Sequence, residues 1–160
     1  MSFLFNAAEI LDMGIEKEKK RRDFYALVAE KFKDKELKKL FENLKSWEEE
    51  HIKKFSEIRR SIEEDEPTES YSGELKDYMD VLIADNLYND VEPGSFPKKV
   101  DSAITAINYG LGFEKDAILF FRELLAHVPK SKEAVINKLI DEEKQHLIYL
   151  AKLKKQYISP

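Results

Sequence analysis

Apolar residues recur every three or four positions along four long stretches of the chain, which is the spacing of one helix face. These stretches cover about residues 6–32, 35–64, 98–127 and 131–156. Asp34 is placed to cap the second stretch, and Asn6 and Glu9 have the spacing of a capping box at the start of the first. Pro129 ends the third stretch, because proline cannot continue a helix. The pattern therefore predicts four long α-helices.

The connections between the predicted helices are of two kinds. Turns of a few residues join the first helix to the second and the third to the fourth, so each pair should form an antiparallel hairpin. Between the hairpins lies a long connection over about residues 65–97, and residues 74–88 within it have the spacing of a short packed helix. This organisation predicts an all-α protein, a ferritin-like antiparallel four-helix bundle with one long crossover connection, in a single domain spanning residues 1–160.

Composition and charge narrow the range of functions. The 27 basic and 32 acidic residues are mixed along the chain without a basic stripe, and the net charge of −5 argues against a nucleic acid partner. The absence of cysteine excludes disulfides, thiolate zinc sites, iron–sulfur clusters and rubredoxin-type iron centres from these residues. No apolar run approaches the roughly 20 residues of a membrane span, so we expect a cytoplasmic protein without a membrane partner.

Glutamate and histidine interrupt the apolar stripes at matching places in the two halves of the chain. In the second predicted helix Glu48 and His51 are three residues apart, and Glu143 and His146 repeat this spacing in the fourth. Residues at this spacing share a helix face, and the surrounding apolar positions indicate that this face points into the core. The first and third helices each add one inward acid that follows a glycine by four residues; these acids are Glu18 and Glu114.

Six ionisable side chains in a bundle core need compensating charge, since an unpaired buried carboxylate costs several kcal/mol or is neutralised by a shift of its pKa. Two divalent cations would balance four carboxylates and two neutral imidazoles, and two of the glutamates could bridge them. Oxygen and imidazole ligands suit non-haem iron or manganese. The sequence therefore predicts a two-metal site, with iron as the expected metal, formed by Glu18, Glu48, His51, Glu114, Glu143 and His146.

Other polar and aromatic residues near these motifs are expected to have surface or packing roles. Solvent exposure is expected for Glu49, Glu50 and Glu142. Arg21 or Arg22 could pair with a site carboxylate, but exposure is the expectation for both. Trp47 should pack in the core or at an interface, and His127 should stabilise a helix end rather than bind metal.

The stretches GIEKEKKRRDFY, WEEEH, GFEKDAILFF and DEEKQH resemble the rubrerythrin branch of the ferritin-like di-iron superfamily, over essentially the whole chain. The resemblance implies that the six residues bind two iron ions, for which manganese or zinc could substitute, with Tyr25 beside the site as a candidate for a part in catalysis. It also implies reduction of hydrogen peroxide or dioxygen by an external electron donor such as a rubredoxin. Two alternatives stay open, a ferroxidase or other iron-handling protein and a non-catalytic metal-binding bundle.

The sequence departs from the pattern of that family in two respects. Rubrerythrins typically carry a further glutamate three residues after the third-helix ligand, where this chain has Ala117, and this puts their redox-linked ligand switch in doubt. They also commonly carry a rubredoxin-type domain with four cysteines, whereas these residues include none. Apolar residues in the long connection are consistent with a homodimer or higher homo-oligomer; they are Tyr71, Tyr78, Met79, Leu87 and Phe96.

Overall fold

Long helices account for most of the chain in the computed structural model, which describes residues 7–62, 77–78, 81, 88 and 91–158. The long helices are α1 (Ala7–Lys31), α2 (Lys35–Ile62), α4 (Ala103–Leu125) and α5 (Lys130–Ile158), and a single turn, α3 (Phe96–Lys99), precedes α4. No strand occurs in the described ranges. The all-α prediction is therefore confirmed.

The ends of the helices follow from local capping, and one predicted boundary was wrong. Asp34 caps α2 as predicted, because its Oδ1 accepts a hydrogen bond of 2.9 Å from the backbone N–H of Leu37. The third long helix starts at Ala103 rather than near residue 98. The reason is Ser102, which has an extended backbone and whose side chain accepts a hydrogen bond from the Thr105 N–H, so that it separates α4 from the turn of α3.

Several predictions for the connection and the N-terminus concern residues outside the described ranges. Asn6, and with it the first capping box, lies outside them. Of the short helix predicted over residues 74–88, only residues 77, 78, 81 and 88 are described. Tyr71, Met79 and Leu87 are likewise outside, whereas Tyr78 is exposed and Phe96 is buried.

Helix packing gives the antiparallel bundle that the sequence predicts. α1 packs along α2 and α4 packs along α5, and the two hairpins meet through α1 with α4 and α2 with α5. Gly14 and Gly110 allow this close approach: a Cβ atom on Gly14 would lie 3.0 Å from Cε1 of Phe120, and one on Gly110 would lie 3.2 Å from Cδ1 of Leu150. Among the described helices, none combines the length and the apolar character that crossing a bilayer requires.

The hydrophobic core of the described residues consists of two clusters, which are formed by different segments of each long helix. One cluster includes Leu11, Phe55, Phe121 and Leu139. The other includes Phe24, Leu37, Phe113 and Leu153. In every long helix, the predicted metal-binding residues fall in the sequence between the parts that form these clusters. The fold therefore places a layer of ionisable side chains between two apolar layers.

Candidate metal centre

All six side chains that the sequence singles out meet inside the bundle. Each is buried, and the most exposed of them, His146, has only 4% of its surface accessible. They form two overlapping groups of four, and within each group one donor atom per residue lies within 4.8 Å of the others. The first group is Glu18, Glu48, His51 and Glu143, and the second is Glu48, Glu114, Glu143 and His146. Each group could hold one cation.

The two glutamates shared by both groups each turn one oxygen toward each imidazole. Glu143 places Oε1 2.8 Å from Nδ1 of His51 and Oε2 3.0 Å from Nδ1 of His146. Glu48 does the same at longer range, with Oε2 3.5 Å from His51 Nδ1 and Oε1 3.9 Å from His146 Nδ1. Carboxylates oriented in this way can bridge two cations, and both histidines present the same ring nitrogen to the cluster.

The hydrogen bonding of the carboxylates tests whether these residues suit a pair of metal ions. Oε2 of Glu18, both oxygens of Glu48 and Oε2 of Glu114 are buried without a hydrogen-bond partner among the described residues, whereas Oε1 of Glu18 lies 2.5 Å from Nη2 of Arg21. Buried polar atoms are normally satisfied, so four such oxygens in one cluster call for a further partner. Divalent cations bind carboxylate oxygens together with imidazole nitrogens, so the cluster is compatible with a two-metal site.

The protonation of the cluster shows the same need for positive charge. Burial, followed by the negative charge of Glu143, raises the pKa of Glu114 to about 8. Burial acts to lower the pKa of His146, but the neighbouring carboxylates of Glu114 and Glu143 outweigh this effect and raise the pKa to about 10. In the metal-free cluster these bound protons offset the negative charge of the carboxylates, and metal cations would displace them.

Tyr25 contacts the cluster directly from α1. Its hydroxyl donates a hydrogen bond of 2.7 Å to Oε1 of Glu114, and both side chains are fully buried. Burial and the neighbouring charge of Glu114 raise the pKa of Tyr25 well above its usual value, so the hydroxyl keeps its proton. The predicted position of Tyr25 beside the site therefore agrees with its geometry.

Arg21 corrects the expectation that the arginines of α1 are exposed. Arg21 is fully buried, with Nη2 2.5 Å from Oε1 of Glu18 and Nε 3.8 Å from Oε2 of Glu48. Burial would lower its pKa, but the negative charges of Glu18, Glu48 and Glu143 act together with Tyr88 to outweigh burial and hold the pKa well above the usual value. Its position three residues after Glu18 places it on the same helix face, and this spacing was the signal in the sequence. Arg22 is partly exposed and pairs with Asp23.

Glu142 was also expected to face solvent; its side chain is 33% exposed, and it also contacts the site from its outer side. Its Oε2 lies 2.8 Å from Nε2 of His51, the ring nitrogen that points away from the cluster. A proton on Nε2 that is donated to Glu142 leaves the lone pair of Nδ1 directed inward, where a metal would be. The contact crosses from α5 to α2, so the spacing along one helix gave no signal for it. Glu49 and Glu50 do have the exposed side chains that were expected.

An aromatic stack borders the imidazoles on the side of α2 and α5. The ring of Trp47 lies nearly parallel to that of His146 with centroids 4.7 Å apart, and the ring centroid of Tyr149 lies 5.7 Å from that of Trp47. Trp47 is thus a packing residue, as expected, but its partner is a predicted ligand. These three residues, together with His51 and Glu142, line a surface cleft of about 390 Å³ that leads to the imidazoles.

Known proteins share the sequence pattern and the fold of this chain. The sequence model of the rubrerythrin family matches residues 9–154. The chain belongs to the rubrerythrin family. A crystal structure from Thermotoga maritima, assigned as a ferritin-like diiron-carboxylate protein, has the same fold as this rubrerythrin-family chain, with a TM-score of 0.75. The two chains are 22% identical, and the match covers 98% of this chain and 99% of the other. A search of curated proteins gives no match.

Two positions of this rubrerythrin-family chain limit the site to the six central residues. Ala117, which stands where a further glutamate was considered, is fully buried in the apolar cluster that includes Phe121. His127 lies beyond the end of α4, with Nε2 3.5 Å from Glu123, and belongs to neither group of four. The alanine cannot bind metal, so the two halves of the centre contribute equal numbers of candidate ligands.

Proposed function

We propose that this rubrerythrin-family protein is a non-haem di-iron redox protein that reduces hydrogen peroxide or dioxygen with electrons from an external donor. The observation that carries this proposal is the buried cluster of four carboxylates and two imidazoles, in which four carboxylate oxygens have neither a hydrogen bond nor the guanidinium of Arg21 within 3 Å among the described residues. A structural role alone does not explain such a cluster, because an apolar core would be at least as stable.

The proposed ligands are divided between two metal positions. Glu18 and His51 would bind one iron ion, and Glu114 and His146 would bind the other. The shared residues Glu48 and Glu143 would bridge the two. Two ferrous ions would supply the two electrons that, with two protons, convert one hydrogen peroxide molecule into two water molecules. Two equivalents of a one-electron donor, such as reduced rubredoxin, would return these two electrons to the iron ions.

The surrounding side chains hold protons, orient ligands and limit access. Tyr25 keeps its proton directed at Oε1 of Glu114 and so fixes that carboxylate. Glu142 fixes the orientation of His51. Buried or partly buried apolar residues such as Leu44, Ile118 and Leu147 exclude water from the bundle side of the site, so small oxidants would approach through the cleft beside the imidazoles.

Ferroxidase activity is the second candidate, and Ala117 favours it. Without a seventh carboxylate, the ligand set has two similar halves, an arrangement closer to bacterioferritin-like ligation than to that of rubrerythrin peroxidases. A ferroxidase would oxidise ferrous ions and pass ferric ions on, whereas a peroxidase would keep its iron through many turnovers.

An anaerobic stopped-flow experiment separates these functions. Protein loaded with two ferrous ions per chain is mixed with hydrogen peroxide or with dioxygen, and absorbance of the ferric product is followed, with reduced rubredoxin as donor in a second series. The proposal predicts one peroxide consumed per two ferrous ions and repeated turnover with the donor. Release of ferric iron after each oxidation would support the ferroxidase instead. Oxidation no faster than that of the Glu48→Ala, Glu143→Ala double variant would refute both.

A further inference from the structure

We propose that the two metal positions are filled in order and with unequal affinity, because Arg21 holds a fixed positive charge beside the position of Glu18 and His51. The position of Glu114 and His146 would then bind the first ion tightly, and the other position would bind the second ion more weakly. This inference rests on the proposed metal centre and adds a property that the six ligands alone do not have.

The asymmetry comes from residues at corresponding places in the two halves of the chain. Three residues after Glu18 the chain has Arg21, and three residues after Glu114 it has Ala117. The neighbours of the two acids differ accordingly: Glu18 is paired with a guanidinium at 2.5 Å, whereas Glu114 accepts a hydrogen bond from the neutral hydroxyl of Tyr25 at 2.7 Å. The ligands repeat between the halves, but the charge around them does not.

Packing and hydrogen bonds hold the guanidinium in place. Nη1 of Arg21 donates a hydrogen bond of 2.8 Å to the hydroxyl of Tyr88, which in turn donates one of 2.9 Å to Asp116. Asp116 pairs with Lys17 at 3.1 Å, and the ring of Phe121 lies 5.8 Å from the guanidinium carbon. Arg21 has no exposed surface, so it cannot swing into solvent when a metal binds.

A buried cation at this place has two effects on a metal ion beside it. Its repulsion of a divalent ion is poorly screened, since neither water nor salt reaches the guanidinium. It also engages Oε1 of Glu18, which leaves Oε2 as the oxygen without a close charged partner. Both effects weaken the position of Glu18 and His51, and neither acts to the same degree on the position of Glu114 and His146. The negative charge of Glu142 beyond the ring of His51 acts in the opposite direction, but its side chain is 33% exposed and it also pairs with Lys54 at 3.7 Å, so it offsets the buried charge of Arg21 only in part.

Calorimetric titration of the metal-free protein with Zn²⁺, which has no redox chemistry, tests the inequality. The expected result is two binding steps whose dissociation constants differ by about tenfold or more. In Arg21→Met the second step should tighten by a similar factor, so that the two steps converge. Arg21→Lys keeps the charge and should keep them separate. Arg22→Met, which removes the neighbouring, partly exposed arginine, is the matched control and should behave as the wild type.

The order of filling is tested in protein that retains Arg21, which also covers the case that Arg21→Met does not fold. His146→Ala should abolish the tight step, and His51→Ala should abolish the weak step and leave the tight one. Equal affinities in the wild type, or the opposite effects of the two histidine variants, would overturn this inference while leaving the proposed function intact. Unequal steps without peroxide turnover would refute the function alone, and no binding of Zn²⁺ would refute both.

Discussion

Because Tyr25 donates a hydrogen bond to Glu114, we expect Tyr25→Phe to lower the stability of the protein, and to lower it more without metal than with metal. Tyr25→Phe removes only the hydroxyl, because the ring is held by Phe24 and Phe41 at centroid distances of 5.8 and 5.6 Å. In the metal-free protein, Oε1 of Glu114 then loses its hydrogen-bond donor. An unsatisfied buried acceptor costs about 1–3 kcal/mol. For a chain of 160 residues this corresponds to a fall in Tm of roughly 2–12 °C.

Metal binding should reduce that loss, because a cation on Glu114 gives its oxygens a new partner. The assay is urea unfolding followed by far-ultraviolet circular dichroism, in the presence of a chelator and again with Zn²⁺. Tyr109→Phe is the matched control, since Tyr109 also lies against Phe24 but is only partly buried. If Tyr25→Phe lowers the free energy of unfolding no more than the control does, or by the same amount with and without metal, the reasoning fails.

Three further variants or conditions test other parts of the structure. Glu142→Gln should weaken Zn²⁺ binding by about 10–100-fold in a calorimetric titration, because it loosens the imidazole that it orients, whereas the exposed neighbour Asp141→Asn should leave binding unchanged. Gly14→Ala should destabilise the protein by about 1–3 kcal/mol in urea unfolding, since its Cβ would press on a buried ring, whereas Gly94→Ala has open space and should not; equal stability of the two would contradict this. Burial raises the pKa of Glu114 from its usual 4.5 to about 8, so its contribution to metal-free stability is fully present below pH 4.5 and is lost as the pH rises through about 8. Urea midpoints at pH 5, 7 and 9 should fall without metal, and a constant or rising midpoint would argue against the protonated cluster.

The sequence predicted the parts of the structure that depend on periodicity. The four long helices follow from apolar residues at helical spacing, and the convergence of the six polar side chains follows from their place within those stripes. The start of α4 was missed because the cap at Ser102 depends on an extended backbone that the apolar pattern does not register. The donor atoms of these six residues lie close together, and metal binding by them stays a prediction.

Two errors at the site have a common physical cause. Arginine and glutamate are exposed in most proteins, so Arg21 and Glu142 were expected to face solvent. Arg21 is buried because the carboxylates of Glu18 and Glu48 provide enough negative charge to offset its loss of hydration. Glu142 contacts His51 across two helices, and the relative rotation of helices from different hairpins cannot be read from spacing along either one.

The division of the six candidate ligands between the hairpins has a consequence for how the bundle holds together. The group that contains Glu18 and His51 has three residues from the hairpin of α1 and α2 and one, Glu143, from the hairpin of α4 and α5. The group that contains Glu114 and His146 has three residues from the hairpin of α4 and α5 and one, Glu48, from the other hairpin. A cation in either position would thus be bonded to both hairpins, and pulling them apart would cost each ion a ligand. Chelation should therefore loosen the association of the hairpins before it unwinds any helix, and a chain cut in the long connection should give two pieces that associate more tightly when metal is supplied.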